Sequence, residues 1–255
     1  MIDTVMLFAA GFGKRMKDLT LDMPKPLLKI NNIPMIEYCL DFIIKCNKIK
    51  RVIINMHYHS DQMLEFIALY RDKKSTSNNN LPEIITIYEE VLLETGGAIK
   101  NAKIHISNSP IFIMNADTII MYNSVHPMDH LLSYWLDKID INKIDCLLFM
   151  SKINQESYAI EKYTFKMLNH DGKLYYGVQN NISGNISDAY LYTGLGIIDI
   201  EMIMNDSRNI FSLREYFIDN NYNIYGITLE DTKWLHANTK NQLTRVSSAI
   251  KEIQN

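Results

Sequence analysis

The sequence predicts an α/β protein built on a largely parallel sheet, and two observations carry this prediction. Short apolar runs rich in β-branched residues alternate with segments whose apolar residues recur at helical spacing. The order strand, helix, strand, helix is typical of parallel strands that crossover helices connect. The chain has 255 residues, 47% of them hydrophobic, so it is long enough to bury a substantial core.

The first half of the chain shows the alternation most clearly. Strands are predicted at residues 5–8, 27–30, 51–55, 84–88 and 110–115. Helices are predicted at residues 34–46, after a cap at Ser60, near Thr95 and at 128–139. Residues 73–82 carry almost no apolar side chains and are predicted to form an exposed loop. The alternation resumes directly after this loop, so the loop does not divide the chain into domains.

The second half contains shorter elements. A strand is predicted at residues 145–151, and β-like pieces between residues 158 and 185 indicate hairpins. Further elements are predicted along the rest of the chain: a strand at 189–200, a helix at 212–220 and a last helix whose start, Thr239 to Gln242, fits a capping box. We expect a single domain over residues 1–255, with a β-rich insertion at about 152–188.

Charge and composition exclude several classes of function. The formal net charge is −3 and the pI is about 6.2, values that do not indicate nucleic acid or an anionic membrane as partner. The N-terminal apolar run is too short for a membrane span and lacks the features of a signal peptide, so we expect a cytoplasmic protein. Cys39, Cys46 and Cys146 are predicted to be buried free thiols. His57 and His59 have no third ligand nearby in the sequence and are interpreted as part of a loop.

The stretch LFAAGFGKRMKDLTLDMPKPL, residues 7–27, contains the strongest chemical signal in the chain. Glycines allow a tight turn whose backbone N–H groups can face anionic oxygens, and a helix start after the turn would add its positive end. Lys14, Arg15 and Lys25 add positive charge near the same turn. A lone glycine turn would favour a purely structural role, but the cations and the Pro-Lys-Pro segment together favour an anion-binding loop.

Asp117 follows the strand predicted at residues 110–115. In open α/β sheets, ligands bind beyond the carboxyl ends of the strands. The position is therefore well suited to a chemical role for this carboxylate, but for a single aspartate the position ordinarily favours the structural alternative, a residue that caps a helix or a turn.

The segments AAGFGKRM, MPKPLLKI, IPMIEYCLDFI, ETGGAI and the NAD after a strand, in this order, resemble the sugar-1-phosphate nucleotidyltransferase family. The resemblance covers nearly the whole chain. The compact size and the LETGGAI segment are most similar to the N-acetylmuramate α-1-phosphate uridylyltransferases and the short mannose-1-phosphate guanylyltransferase-like proteins. This resemblance implies a Rossmann-like nucleotidyltransferase fold with a mixed, mostly parallel central sheet and a small β insertion on the sugar side.

The resemblance also implies a reaction, in which a sugar 1-phosphate attacks the α-phosphorus of UTP or GTP and pyrophosphate leaves. Such a step needs charge neutralisation and in-line positioning more than a protein acid or base. By resemblance, the catalytic residues would be Arg15, Lys25 and Asp117. Arg15 would contact the developing charge, Lys25 would bridge the two phosphates, and Asp117 would hold Mg²⁺. Mn²⁺ or another divalent ion is the alternative metal.

The binding residues are assigned by the same resemblance. The nucleotide site would consist of residues in these motifs: Ala9, Ala10, Gly11, Gly13, Lys14, Arg15, Lys25, Glu94, Gly96, Gly97 and Asn115. Thr193 and Gly194 would line the sugar pocket. Taken singly, Lys25 could be a solvated loop lysine, Arg15 a helix-surface arginine and Glu94 a carboxylate at a helix start. Their combination in this order favours the functional interpretation.

One position departs from the family pattern. Relatives carry a second metal-binding aspartate in a segment W-x-D-x-G-T, whereas this chain has Trp234, His236 and Asn238 in the corresponding places. Mg²⁺ prefers hard oxygen ligands, so an imidazole should weaken Mg²⁺ binding or shift the preference to Mn²⁺, Co²⁺ or Zn²⁺. Alternatively, His236 only packs beside Trp234, and another carboxylate such as Asp231 binds the metal.

Two functions from different classes follow from these observations. The first is an active nucleotidyltransferase that binds a nucleoside triphosphate and a sugar 1-phosphate, with neither nucleic acid nor membrane as partner, as a monomer or homodimer. The second is a family member without turnover that binds nucleotide or nucleotide-sugar as a sensor or partner subunit, which His236 favours. A dinucleotide-binding oxidoreductase is disfavoured, because the loop reads G-F-G-K-R-M rather than G-x-G-x-x-G.

Overall fold

The computed structural model describes residues 2–75, 81–152, 163–167, 174–178, 189–219 and 221–254. The strands of this part are, in chain order, β1 (Thr4–Phe8), β2 (Lys29–Ile30), β3 (Ile33–Pro34), β4 (Arg51–Met56), β5 (Glu83–Tyr88), β6 (Ile111–Asn115), β7 (Thr118–Tyr122), β8 (Cys146–Lys152), β9 (Tyr163–Met167), β10 (Leu174–Val178), β11 (Ala189–Ile198), β12 (Ile224–Ile227) and β13 (Thr232–His236). The α-helices are α1 (Met35–Lys45), α2 (Ser60–Ser75), α3 (Glu94–Asn101), α4 (Pro127–Asn142), α5 (Glu201–Met204), α6 (Leu213–Phe217) and α7 (Lys240–Gln254).

The central sheet is mixed and is parallel around its first strand. Its main path runs β10-β9-β11-β6-β1-β4-β5, and β8 and β12 extend it beside β11. Strands β6, β1, β4 and β5 are parallel neighbours, whereas β11 runs antiparallel to β6 and β8. This sheet confirms the predicted α/β fold. Because β1 lies between β4 and β6, a ligand crevice is expected beyond the carboxyl ends of these three strands.

Helices cover both faces of the sheet. Successive residues of β1 point to opposite faces, so Val5 and Leu7 belong to one core cluster and Met6 to another. The first cluster contains the apolar faces of α1, α2 and α4, and the second contains those of α3, α5 and α6. Burial on both faces explains why the parallel strands appear in the sequence as continuous apolar runs.

A second sheet has two strands, β7 and β13, which pair antiparallel with His236 opposite Thr118. Helix α7 packs against it through Val246 and Ile250, in a cluster that also contains Met16 from the segment after β1. Neither strand is predicted from the sequence, because each has five residues and its partner lies more than a hundred positions away. This pairing brings the C-terminal part of the chain to the end of β6.

Most predicted elements are present, and their bounds differ from the predicted ones by a few residues. Ser60 is the first residue of α2 rather than its cap, and α2 continues to Ser75, into the predicted loop; residues 76–80 lie outside the described part. Helix α6 ends at Phe217, earlier than predicted. Strands β9 and β10 form an antiparallel pair, and the remainder of the predicted insertion lies outside the described residues. No helix in the described ranges is long and apolar enough to cross a bilayer.

Candidate active site

The carboxyl ends of β1, β4 and β6 surround a cleft of about 320 Å³. Most residues of the predicted nucleotide site line it: Ala9, Ala10, Gly11, Gly13, Lys14, Arg15, Lys25, Glu94 and Asn115. Asp117 lines the same cleft. The structure thus brings together residues that are more than a hundred positions apart, in the crevice that the strand order predicts.

The turn after β1 is held by a side chain of the neighbouring strand. The backbone N–H of Ala9 donates to Oδ1 of Asn55 at 2.9 Å. Gly13 has a φ of 66°, in the left-handed region that glycine adopts at little cost. A Cβ atom at Gly13 would lie 2.9 Å from Cβ of Lys25. Glycine is therefore required here both for the backbone conformation and for the close approach of Lys25.

The cations of the cleft differ in their surroundings. Lys14 and Arg15 are exposed, and Nζ of Lys14 lies 5.3 Å from the ring centroid of Phe12, a cation–π contact. Asp18 pairs with Lys240 at 2.5 Å. Lys25 is different, because its side chain is only 13% exposed and its ammonium group points at a carboxylate inside the cleft.

Lys25 and Asp117 form a largely buried ion pair, with 2.5 Å between Nζ and Oδ2. Burial by itself would raise the pKa of Asp117, but Lys25 and His236 together outweigh burial and hold that pKa well below the usual range of a carboxyl group. The other oxygen, Oδ1, is buried without a hydrogen-bond partner among the described residues. Asp117 is therefore an ionised carboxylate with an unused acceptor atom.

Two residues of the C-terminal segment complete this cluster. Lys25 also donates to Oδ1 of Asn238. Because a lysine can only donate, this contact fixes the orientation of the amide, and Nδ2 of Asn238 therefore faces Nε2 of His236. This nitrogen lies 3.6 Å from Oδ2 of Asp117. The imidazole ring of His236 also stacks on the ring of Trp234, with 5.2 Å between the two ring centroids.

Asp231 is not at this site. It precedes β13, whereas His236 ends that strand, so the two residues lie at opposite ends of five residues of extended chain. His236 can be interpreted as a residue of the metal site or as a packing partner of Trp234. Both interpretations agree with the structure, because the ring packs on Trp234 and also faces Asp117. Asn238, which is 4% exposed, is a cluster member that the sequence analysis does not assign to the site.

A second cavity, of about 290 Å³, adjoins the first. The two share part of their lining: Phe8, Arg15, Thr95, Asn115, Asp117 and Asn238. Thr193 and Gly194, the residues predicted for the sugar side, line the second cavity together with Trp234 and Arg214. The hydroxyl of Thr193 donates to the carbonyl of Phe149 at 2.8 Å, so this residue shapes the wall through its backbone position.

Glu94 lines the first cleft with a φ of 61°, a left-handed conformation that is costly for a residue with a side chain. Gly96 and Gly97 do not line either cavity. Both glycines donate their backbone N–H groups to the carbonyl of Phe211, and a Cβ atom at Gly97 would lie 2.1 Å from the carbonyl oxygen of Asn209. Their proposed contact with nucleotide stays a prediction, and their observed role is to let two backbone segments meet.

A buried carboxylate braces the wall of the first cleft. Glu89 is 2% exposed and accepts from Nδ2 of Asn55 at 2.8 Å and from the backbone N–H of Leu93 at 3.1 Å. Burial raises the pKa of Glu89. Sequence reasoning missed both Asn55 and Glu89, although each lies at the carboxyl end of a predicted strand, the same signal that identified Asp117.

The three cysteines are buried and free, which confirms the prediction: Cys39, Cys46 and Cys146. Cys46 lies close to His126 and Asp129. Both ring nitrogens of His126 are engaged, since Nε2 donates to the carbonyl of Phe42 at 2.9 Å and Nδ1 accepts from the N–H of Met128 at 3.2 Å. We therefore interpret this group as structural rather than metal-binding.

Comparisons with known proteins agree with the geometry. The family model described as "Nucleotidyl transferase" matches residues 4–134. N-acetylmuramate alpha-1-phosphate uridylyltransferase of Caulobacter vibrioides is 29% identical over 209 residues, which are 82% of this chain and 80% of that protein. Mannose-1-phosphate guanyltransferase of Hypocrea jecorina is 30% identical over 131 residues, which are 51% of this chain and 33% of that protein.

The fold is also found in solved structures. The crystal structure of a UDP-glucose pyrophosphorylase complexed with UDP-glucose superposes with a TM-score of 0.75 and covers 99% of both chains, at 15% sequence identity. At this identity the likeness concerns the fold alone. The family model spans just over half of the chain, beginning at β1 and including Asp117, and on this basis the chain belongs to the nucleotidyl transferase family of sugar-1-phosphate nucleotidyltransferases.

Proposed function

We propose that this protein transfers a nucleoside monophosphate from UTP or GTP to a sugar 1-phosphate and releases pyrophosphate. The observation that carries the proposal is the position of the Lys25–Asp117 pair, where the two cavities adjoin. The first cavity has the anion-binding turn and the cations, so it suits the triphosphate. The second has an aromatic and polar lining, so it suits a sugar.

The reaction would take place at the shared wall. An oxygen of the sugar phosphate forms a new bond to the α-phosphorus, while the bond from that phosphorus to the pyrophosphate oxygen breaks. Arg15 lines both cavities and can contact two phosphate oxygens through its planar guanidinium group. Lys25 can exchange its contact with Asp117 for phosphate oxygens and neutralise the charge between the two substrates. No protein base is required, since a sugar phosphate is already ionised at neutral pH.

The identity of the substrates is proposed from similarity. Because of the similarity to the relative in Caulobacter vibrioides, the first substrate pair to test is UTP with N-acetylmuramate 1-phosphate. The second pair is GTP with mannose 1-phosphate. N-acetylmuramate carries a carboxylate, for which Arg214 in the lining of the second cavity is a suitable partner. Trp234 in the same lining offers a flat apolar surface for a sugar ring.

The residues around Asp117 fit a divalent metal ion. The buried Oδ1 of Asp117 has no hydrogen-bond partner among the described residues, and Nε2 of His236 lies 3.6 Å from the other oxygen of this carboxylate. Oδ1 of Asn238 accepts from Lys25, which also pairs with Asp117. When bound there, the ion would neutralise phosphate charge. Because the set includes an imidazole nitrogen, we propose that it prefers Mn²⁺ or Co²⁺ to Mg²⁺.

The alternative function, nucleotide or nucleotide-sugar binding without turnover, is favoured by one observation. His236 stands where relatives have an aspartate, so the cluster has one carboxylate, and Lys25 already neutralises it. A protein with this cluster could bind phosphates through Arg15 and Lys25 and still fail to hold the metal.

The two functions are separated by measuring pyrophosphate release over a matrix of nucleotides, sugar 1-phosphates and divalent ions. We expect turnover with at least one UTP or GTP combination, and higher rates with Mn²⁺ or Co²⁺ than with Mg²⁺. Nucleotide binding detected by calorimetry, together with no pyrophosphate release in any combination, would support the binding protein instead.

A further inference from the structure

We call the segment from Gly13 to Lys25 the signature loop. Its first and last residues lie close together, because Gly13 approaches Cβ of Lys25. Inside the loop, the hydroxyl of Thr20 lies 3.2 Å from each of the carbonyl oxygens of Gly13 and Lys17, and Thr20 is buried. The position of Lys25 is therefore coupled to the shape of the whole loop.

The outer turn of the signature loop, at Leu21 and Asp22, has one hydrogen bond inside the loop, from the backbone N–H of Leu21 to the carbonyl of Asp18 at 3.5 Å, and is also held from outside. The hydroxyl of Tyr58 donates to the carbonyl of Leu21 at 2.6 Å, and Nε2 of His59 donates to the same oxygen at 3.0 Å. One turn into α2, Nε2 of Gln62 donates to the carbonyl of Asp22 at 2.8 Å. Three side chains thus hold two consecutive carbonyls.

The same external segment also contacts Phe12, the residue just before the loop. The ring of His57 meets the ring of Phe12 edge-on at 5.0 Å, and the ring of Tyr58 lies 5.8 Å from it. Nδ1 of His57 donates to the backbone carbonyl of Glu89 at 2.8 Å, which fixes this segment to the end of β5. His59 has a φ of 49°, a left-handed conformation held in place by these contacts.

None of residues 57–59 or Gln62 lines either cavity, so these contacts cannot serve substrate directly. We propose that Tyr58 and Gln62 are positioning residues, which hold the Leu21–Asp22 turn and through it keep Lys25 at the junction of the two cavities. His57 and His59, a pair that could suggest a metal site from the sequence, belong to the same support. This role in catalysis rests on the proposed function, but the mechanical role does not.

The test is a double variant, Tyr58→Phe with Gln62→Met, which keeps the ring contacts and the side-chain volume and removes two hydrogen bonds. The matched control is Tyr88→Phe with Glu65→Met. Tyr88 is 58% exposed, Glu65 is exposed on α2, and neither lines a cavity. Three quantities are measured on the full chain: amide hydrogen exchange of residues 13–25, kcat and KM for pyrophosphate release, and the melting temperature.

We expect amide exchange in the signature loop to become about tenfold faster in the double variant, because two hydrogen bonds no longer oppose opening. We also expect kcat to fall about tenfold while KM for the nucleotide changes less than about threefold, because the cost lies in placing Lys25 rather than in binding. The control should match the wild type in all three quantities.

Unchanged exchange in residues 13–25, or faster exchange with an unchanged kcat, would overturn the proposal. If the single variant Gln62→Met has the kcat of the wild type, the role belongs to Tyr58, and this result would support the proposal. If the wild type shows no pyrophosphate release, the proposed function fails, and the exchange measurement still decides whether the turn is held by Tyr58 and Gln62.

Discussion

Nζ of Lys25 lies 2.5 Å from Oδ2 of Asp117, although the two residues are 92 positions apart in the chain. The pair is largely buried, with side-chain exposures of 13% and 20%. A buried carboxylate without a cation would be costly, so the ionised form of Asp117 depends on Lys25. Asp117 lines both cavities, so the contact holds the lysine beside the wall that they share.

Replacement of Lys25 by Met should abolish most of the turnover. The variant keeps the length of the side chain and its packing on Gly13 but removes the charge, so we expect kcat to fall at least about tenfold, or roughly 1.4 kcal/mol in the barrier. Lys29→Met is the matched control, because Lys29 is exposed in β2 and lines neither cavity. Equal rates in the Lys25→Met and Lys29→Met variants would show that Lys25 takes no part in the reaction.

The same variant should change the dependence of stability on pH. In the wild type the pKa of Asp117 is lowered by folding, so its ionised form stabilises the protein above the unfolded value, about 3.9, and this contribution is lost as the pH falls through the lower folded value. Without Lys25, only His236 still opposes the effect of burial, so the pKa of Asp117 rises from its wild-type value. Stability curves from pH 3 to 8 should therefore show a smaller gain from acid to neutral pH in Lys25→Met than in the wild type. Parallel stability curves for the wild type and Lys25→Met would show that Lys25 does not influence the ionisation of Asp117.

His236→Asp should shift metal preference toward Mg²⁺. A second carboxylate beside Asp117 supplies the hard oxygen that Mg²⁺ prefers and removes the nitrogen that favours Mn²⁺ or Co²⁺. We expect Mg²⁺ affinity, measured by calorimetry, to rise about tenfold or more, and the ratio of Mg²⁺- to Mn²⁺-dependent rates to rise with it. If affinity for both ions is unchanged, His236 does not contact the metal and only packs on Trp234.

Glu89→Gln should destabilise the cleft despite the similar shape of the side chains. Both carboxylate oxygens accept hydrogen bonds, from Asn55 and from the N–H of Leu93, and an amide would place its NH₂ group against one of these donors. We expect a loss of about 1–3 kcal/mol in the free energy of unfolding, measured in urea. Nucleotide affinity should also fall, because Asn55 holds the N–H of Ala9. Glu90→Gln, at an exposed position, should change neither quantity.

Gly97→Ala should lower stability and Gly11→Ala should not. A methyl group at Gly97 would meet the backbone carbonyl of Asn209 at 2.1 Å, whereas nothing lies within 4 Å of the corresponding position at Gly11. Overpacking of this kind costs about 1–3 kcal/mol, which for a chain of this size lowers the melting temperature by about 2–4 °C per kcal/mol. Gly11 lines the first cleft, where the proposed function places the nucleotide, so Gly11→Ala should instead weaken nucleotide binding. Equal melting temperatures of Gly97→Ala and Gly11→Ala would show that residues 209–211 can shift enough to accommodate the added methyl group.

The sheet strands and most helices could be predicted because their signals are local. β1 and β4 are continuous apolar runs, and α1 has apolar residues at helical spacing, so burial determines both their type and their position. The pair β7 and β13 could not be predicted in this way. Each strand is short and stabilised by a partner more than a hundred positions away, which no local pattern reveals.

The α/β class, the glycine turn after β1 and the position of Asp117 after a strand could all be inferred from the sequence, because hydrophobic period and turn chemistry act between near neighbours. Which groups meet Asp117 depends on the tertiary structure. The register of β13 on β7 places His236 opposite Thr118 and so beside the carboxylate, and Lys25 and Asn238 meet there because buried polar groups must find partners. Such partners are chosen by the packing of distant segments, and the sequence does not display them.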